Sequence, residues 1–118
     1  MNREQRGATS HRAGLAAEEI AARWYVERGG AILARRWRRP EGEIDLIIRD
    51  GETIVFAEVK KRGRETTEDP VTPTQWQRLE NAANAYIITA ATGDAPVRFD
   101  LVLVNEIGAV TVTRNARA

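Results

Sequence analysis

Between Gly42 and Lys60 the chain reads GEIDLIIRDGETIVFAEVK, two apolar-rich runs separated by Arg49-Asp50-Gly51-Glu52. Asp-Gly between such runs is a strong short-range hairpin signal. With Asp50 and Gly51 as a two-residue turn, Ile47 faces Ile54, Asp45 faces Phe56 and Glu43 faces Glu58. Side chains alternate faces along a strand, so one face carries Ile44, Leu46, Ile48, Val55, Ala57 and Val59 and must be buried. The other face starts with Ile47, Ile54 and Phe56 near the turn and ends in Glu43, Asp45, Glu58 and Lys60. An apolar face that ends in carboxylates and an ammonium reads as a core opening into a site.

The same patterning extends along the rest of the chain. Ala13, Ala17, Ala21 and Trp24 form a helical stripe, widened by Leu15, Ala22 and Val26, with Thr9 or Ser10 as N-cap and Gly29-Gly30 as the stop. Residues 31–39, AILARRWRR, predict a strand ending in a basic cluster, and Pro40-Glu41-Gly42 punctuates the chain before the hairpin. Thr72-Pro73-Thr74-Gln75 fits a capping box with proline at the first helical position. Trp76, Leu79, Ala83, Tyr86, Ile87 and Ala90 then recur at helical spacing up to Gly93, a core stripe rather than a stacking platform. VRFDLVLV (97–104) predicts a central strand and AVTVT (109–113) an edge strand. The order is α-β-β-β-α-β-β. A helix between the hairpin and strand 97–104 makes those strands parallel, so the expected fold is a mixed α/β sheet flanked by helices.

Composition narrows the picture. The 118 residues predict one domain spanning 1–118, with 1–9 and 114–118 disordered and 61–71 a mobile loop. The chain has no cysteine, which excludes disulfides, thiolate metal sites and a cysteine nucleophile. No apolar run reaches membrane-spanning length and the first residues are polar, so the expectation is a cytoplasmic protein with no membrane partner. Net charge is only +1, yet residues 1–40 hold nine arginines against four glutamates. That asymmetry points to a polyanionic partner, with solubility alone as the plain alternative.

Candidate chemistry follows from these positions. Glu58 and Lys60 are two residues apart on one strand, roughly 6.6 Å apart at Cα and pointing the same way. In the register above Asp45 lies diagonally from Glu58, roughly 7–8 Å away, and Glu43 opposes it directly. A divalent cation would turn that repulsion into attraction, and oxygen ligands suit magnesium or manganese. Glu18, among Gly14, Ala17, Ala21 and Ala22, either points into this site or is a solvated glutamate like Glu19. Arg35, Arg36, Arg38 and Arg39 around Trp37 suit phosphate contacts with an aromatic for stacking, or else a charge-protected edge strand. Lys61, Arg62 and Arg64 extend the basic character into the loop, and Gln75 opens the second helix. His11 stands alone and is set aside as a ligand or base.

Asp45 followed by Glu58-Val59-Lys60 resembles the PD-(D/E)XK nuclease motif. More closely, Gly42-Glu43-Ile44-Asp45-Leu46-Ile47 with Val55-Phe56-Ala57-Glu58-Val59-Lys60 resembles the YraN-like family of small bacterial proteins, which has the restriction-endonuclease-like fold. The likeness runs from Gly14-x-x-Ala17-Glu18-x-x-Ala21 to Arg98-Phe99-Asp100. It implies Asp45 and Glu58 as metal-binding carboxylates, the Val59 carbonyl as a further ligand, and Lys60 as the residue that activates water. Glu18 would complete the metal site or its surroundings, and Glu43 is a further candidate ligand. Gln75-Trp76 stands where the family often has Lys-Gln, so a phosphate contact from that lysine is missing. Two readings result. One is a Mg2+- or Mn2+-dependent endonuclease acting on branched or nicked DNA in DNA processing or repair. The other is a non-catalytic nucleic-acid-binding module or assembly partner that retains the fold. A homodimer is compatible with either.

Overall fold

A computed structural model of the chain describes residues 3–62 and 71–117, with side chains from residue 14 onward. The elements run α1 (Arg3–Glu27), β1 (Ala31–Arg39), β2 (Gly42–Asp50), β3 (Thr53–Arg62), α2 (Pro73–Ala90), β4 (Val97–Asn105) and β5 (Val110–Thr113). Their order is the one expected, and the strands form one mixed sheet in the order β1-β2-β3-β4-β5. Only β3 and β4 are parallel, because α2 carries the chain back between them. No helix among the described residues is long and apolar enough to cross a membrane.

The sheet is covered on both faces. Ala17, Ala21, Ala22 and Tyr25 of α1 pack on Leu46, Ile48, Val55, Ala57, Val102 and Val104. Trp76, Leu79, Ala82 and Ala83 of α2 pack on Ile44, Ile47, Ile54, Phe56 and Leu101. Small residues on α1 let its backbone approach the sheet, while Leu15 and Val26, expected on the buried stripe, are exposed. The central strand β3 holds Ile54, Val55, Phe56 and Ala57 with no exposure at all. Burial of each larger apolar side chain there contributes roughly 1.5–3 kcal/mol.

Several boundaries differ from expectation. The first helix begins at Arg3 rather than at Thr9 or Ser10, since Glu4, Gln5, Arg6 and Ala8 all favour helix. β3 continues through Lys61 and Arg62, which pair with Val104 and Asn105 of β4 instead of opening the loop. Residues 63–70, with Arg64, lie outside the described residues, as do the side chains of His11 and Ala13. The tail expected to be free is tied down: Ala116 N–H donates to the Phe99 carbonyl at 2.8 Å, and Arg117 reaches Glu80 at 3.3 Å. The capping box at Thr72 forms as expected, with Gln75 N–H on Thr72 Oγ1 and Thr72 N–H on Gln75 Oε1.

The hairpin register is the most consequential difference. Asp50 pairs with Thr53, Ile47 with Phe56 and Leu46 with Ala57, so the turn residues are Gly51 and Glu52. Gly51 takes φ +60°, and neither Asp50 nor Glu52 has positive φ. A turn with its positive φ at the first central residue needs only one glycine, whereas a turn over Asp50-Gly51 would drive Asp50 left-handed. The slip is two residues on the partner strand, so side chains keep their faces while their neighbours change. Ile44 is a separate exception to simple alternation: it packs with Ile47 on the α2 side. Beside it, Arg36 in β1 adopts φ +49° between the pairs Arg35↔Leu46 and Trp37↔Ile44, and this kink breaks the regular pleat.

Asp100, fully buried, fastens these layers together. Its carboxylate accepts from Tyr25 Oη (2.8 Å), Arg98 Nε (2.8 Å) and Nη2 (3.1 Å), and Asn115 N–H (3.1 Å). Arg98 also meets Asp50 at the hairpin turn, 3.3 Å away. Burial, then the Asp100 charge, pushes the Tyr25 hydroxyl pKa well above its ordinary range, so it remains a donor. Asp100→Ala would remove the acceptor of four hydrogen bonds, leaving Arg98 only Asp50 as a partner, and is expected to cost more than Tyr25→Phe, for which about 1–3 kcal/mol is expected. Urea unfolding of the two variants measures this ranking, and equal small losses would show that the cluster is not a fastening point.

Candidate functional site

Continued one step past Leu46↔Ala57, the observed register sets Asp45 beside Glu58 on the neighbouring strand. Both side chains are half-buried. The Val59 N–H donates to Asp45 Oδ2 at 2.8 Å, and Lys60 Nζ lies 3.5 Å from Glu58 Oε1. The expected pairing of Glu43 with Glu58 is not formed, because the β2–β3 ladder is slipped by two residues and ends at Leu46↔Ala57. Glu43 instead pairs with Arg38 on β1 at 3.0 Å.

α2 forms the facing wall. A cleft of about 200 Å3 is lined by Glu43, Asp45 and Glu58 on one side and by Gln75, Arg78 and Leu79 on the other. The approach of helix to strand depends on Gly42, where a Cβ would lie 2.6 Å from the Arg78 carbonyl oxygen. Arg78 was not among the residues expected here. Its i, i+3 spacing from Gln75 on a helix whose apolar stripe faces the sheet was the available signal.

On the α1 side, Glu18 is 19% exposed at its side chain and lies 3.6 Å from Arg36 Nε. Its neighbour Glu19 is 54% exposed and pairs with Arg35 at 2.6 Å. Glu18 is therefore a partly buried residue directed at the sheet, unlike Glu19. Burial raises its pKa, and the negative charge of Asp45 raises it further, while Arg36 and Arg38 oppose both.

Electrostatics single out the acid pair. Desolvation pushes Glu58 up to about 7, with repulsion from Asp45 adding to it and Lys60 opposing. Asp45 is also raised, chiefly by burial, against the lowering effects of the Val59 N–H and Lys60. Strongly raised carboxylates in a cleft are a signature of functional sites, since a fold gains nothing from holding them together.

The basic residues are distributed less simply than the cluster suggested. Arg35, Arg36 and Arg38 are paired with Glu19, Glu18 and Glu43. Arg39 lies over the Trp37 ring, 4.3 Å from its centroid, while that ring meets Tyr86 edge-on at 5.5 Å. Trp37 thus packs at the margin of the α2-side core. Lys61 turns to the opposite face, lining a 140 Å3 cavity with Ala16, Ala17, Ile20 and Glu106.

Residues 17–104 match the family model Uncharacterised protein family UPF0102, and the chain belongs to that family. The match includes Glu18, Asp45, Glu58, Lys60 and Arg78. A UPF0102 protein of Ruegeria sp. (strain TM1040) is 48% identical over 116 residues, covering 94% of this chain and 91% of that protein. One from Cereibacter sphaeroides (strain ATCC 17025) is 40% identical over 114 residues, covering 95% and 97%. A third, from Oleidesulfovibrio alaskensis, is 43% identical over 95 residues, covering 78% of this chain and 47% of that protein.

The acid pair sets a pH dependence. With folded-state pKa values above the unfolded ones, the folded chain holds more protons between about 4.5 and about 7. Stability contributed by the protonated pair is complete below that window and is lost as pH rises through it. Asp45→Asn and Glu58→Gln should each flatten this slope and raise stability at pH 8, Glu58→Gln by roughly 1–3 kcal/mol. Thermal melts from pH 4.5 to 8.5 measure it. Variants less stable than wild type at pH 8 would make these carboxylates structural partners instead.

Proposed function

We propose that the chain is a magnesium- or manganese-dependent phosphodiesterase of endonuclease type acting on DNA, branched or nicked forms included. The observation that carries this reading is the facing arrangement of Asp45 and Glu58 on the sheet and Gln75 and Arg78 on α2 around one cleft, with Lys60 3.5 Å from Glu58. The resemblance to the PD-(D/E)XK motif supports it, with the acid on one strand and Glu-x-Lys on the next.

Among the described residues no group of three His, Cys, Asp or Glu side chains is close enough to hold a metal ion. Two half-buried carboxylates still fit a hard cation, since magnesium commonly takes one or two and fills its shell with water and substrate phosphate. Burial raises both pKa values and the Asp45 charge raises Glu58 further, so a cation between them would lower both. Asp45 and Glu58 would hold the ion, with the Val59 carbonyl as a further ligand and Glu18 or Glu43 as outer partners. When bound, it would supply Lewis acidity toward the phosphate and a lowered pKa of water.

The chain's own groups divide the remaining tasks. Lys60 brings an ammonium beside Glu58, where it can orient the attacking water and offset charge developing on phosphate oxygens. The Val59 N–H fixes the Asp45 carboxylate through Oδ2. Packing of Leu46, Ala57 and Leu79 behind these residues limits water access and strengthens each interaction. The two-carboxylate count favours a second reading, a nucleic-acid-binding module without turnover.

Incubation of flap, nicked, four-way-junction, duplex and single-stranded DNAs with Mg2+ or Mn2+ separates the two. Cleavage is expected for wild type and should fall by at least a hundredfold in Asp45→Ala (about 2.7 kcal/mol). A tenfold excess of metal over Kd should raise stability by about 1.4 kcal/mol in wild type alone. Binding with no cleavage of any substrate would leave the binding module; cleavage by Asp45→Ala would remove the site altogether.

A further inference from the structure

Arg78 is exposed, lines the acidic cleft, and makes no hydrogen bond or ion pair with any described residue. The other charges around it are engaged: Glu43 with Arg38, Glu58 with Lys60, Arg36 with Glu18 and Arg35 with Glu19. Gln75, one helical turn earlier on the same cleft wall, has its carboxamide oriented by the capping box. Its Oε1 accepts from the Thr72 N–H at 3.0 Å, which leaves both amide hydrogens as donors. No acidic residue occupies the first turn of α2, so the positive end of that helix is not neutralised from within. We propose that Arg78, with the Gln75 amide, is the phosphate anchor of the cleft, holding non-bridging oxygens of a nucleic-acid phosphodiester opposite Asp45 and Glu58.

The argument is one of charge and of rigidity. A phosphodiester entering a cleft walled by Glu43, Asp45 and Glu58 meets repulsion, and the opposing wall must supply the compensating donors. Guanidinium suits this task because its fork matches two phosphate oxygens at once. The anchor is also fixed in place. Gly42 lets β2 run against the Arg78 carbonyl, and Leu79, next in sequence, is buried in the core below. Arg78 therefore needs to release no partner in order to bind, unlike Arg35, Arg36 and Arg38 of β1, which would have to leave Glu19, Glu18 and Glu43.

This inference rests on the cleft being a phosphodiester site, and binding measurements separate the two. The affinity of the full chain for a fluorescent duplex DNA is measured in EDTA across a salt series. Arg78→Ala should weaken binding roughly tenfold and reduce the log–log salt slope by about 0.9. Arg78→Lys should recover the slope but only part of the affinity, and the Mn2+-induced melting shift of Arg78→Ala should match wild type. An unchanged affinity and slope would overturn the assignment, as would wild-type protein that binds no DNA at low salt. Loss of the Mn2+ shift in Arg78→Ala would also overturn it, because the residue would then be supporting the acid pair. If wild type cleaves none of the DNAs while Arg78→Ala loses affinity, the nuclease reading fails and the phosphate anchor stands.

Discussion

Asp45 and Glu58 stand next to each other on adjacent strands, half-buried, with repulsion between them that nothing in the sheet requires. Most of the surrounding structure can be read as the means of holding that pair. The Val59 N–H and the Lys60 ammonium lower the cost from within the strand. Arg36 and Arg38, brought in from β1, oppose the negative potential from the side. Hydrophobic burial on both faces then supplies the stability against which this local cost is set.

The constraint reaches back to a single turn. Placing Gly51 first in the hairpin loop requires one positive φ, and that choice aligns Asp45 with Glu58 rather than with Phe56. Asp50 remains in the strand, where it meets Arg98 and through it the buried Asp100. The fastening cluster and the acid pair therefore share the β2–β3 register: a slip that relieved the repulsion would also pull Asp50 from Arg98. This coupling gives a physical reason for the pair to persist in the folded state.

β1 shows a comparable compromise. Arg36 holds a left-handed conformation that costs a non-glycine residue on the order of 1–3 kcal/mol, and it does so beside the site. The kink directs Arg36 toward Glu18 and allows Ile44 to join the α2-side core. The arginines that composition marked as a binding surface are in this way largely committed to organising the acids. Among the described residues that line the cleft, the unengaged cation is Arg78 on the opposite wall.

Element order, the parallel β3–β4 pair, the two covering helices and the Thr72 capping box were all legible in the residues, because periodicity and capping chemistry are local signals. So was the gathering of Asp45, Glu58 and Lys60 at one end of the hairpin. The tertiary structure decided what local signals leave open. Asp-Gly is compatible with more than one turn, and strand alternation is blind to a slip of two residues, so Asp45 facing Glu58 emerged only from pairing. Arg78 carried no special pattern, and it became a cleft residue through the close approach that Gly42 permits. Asp100 lay in an apolar run that could not reveal its partners beyond Arg98, since Tyr25 and Asn115 come from the first helix and the C-terminal tail. Neighbours distant in sequence are chosen by packing, and periodicity has no access to them.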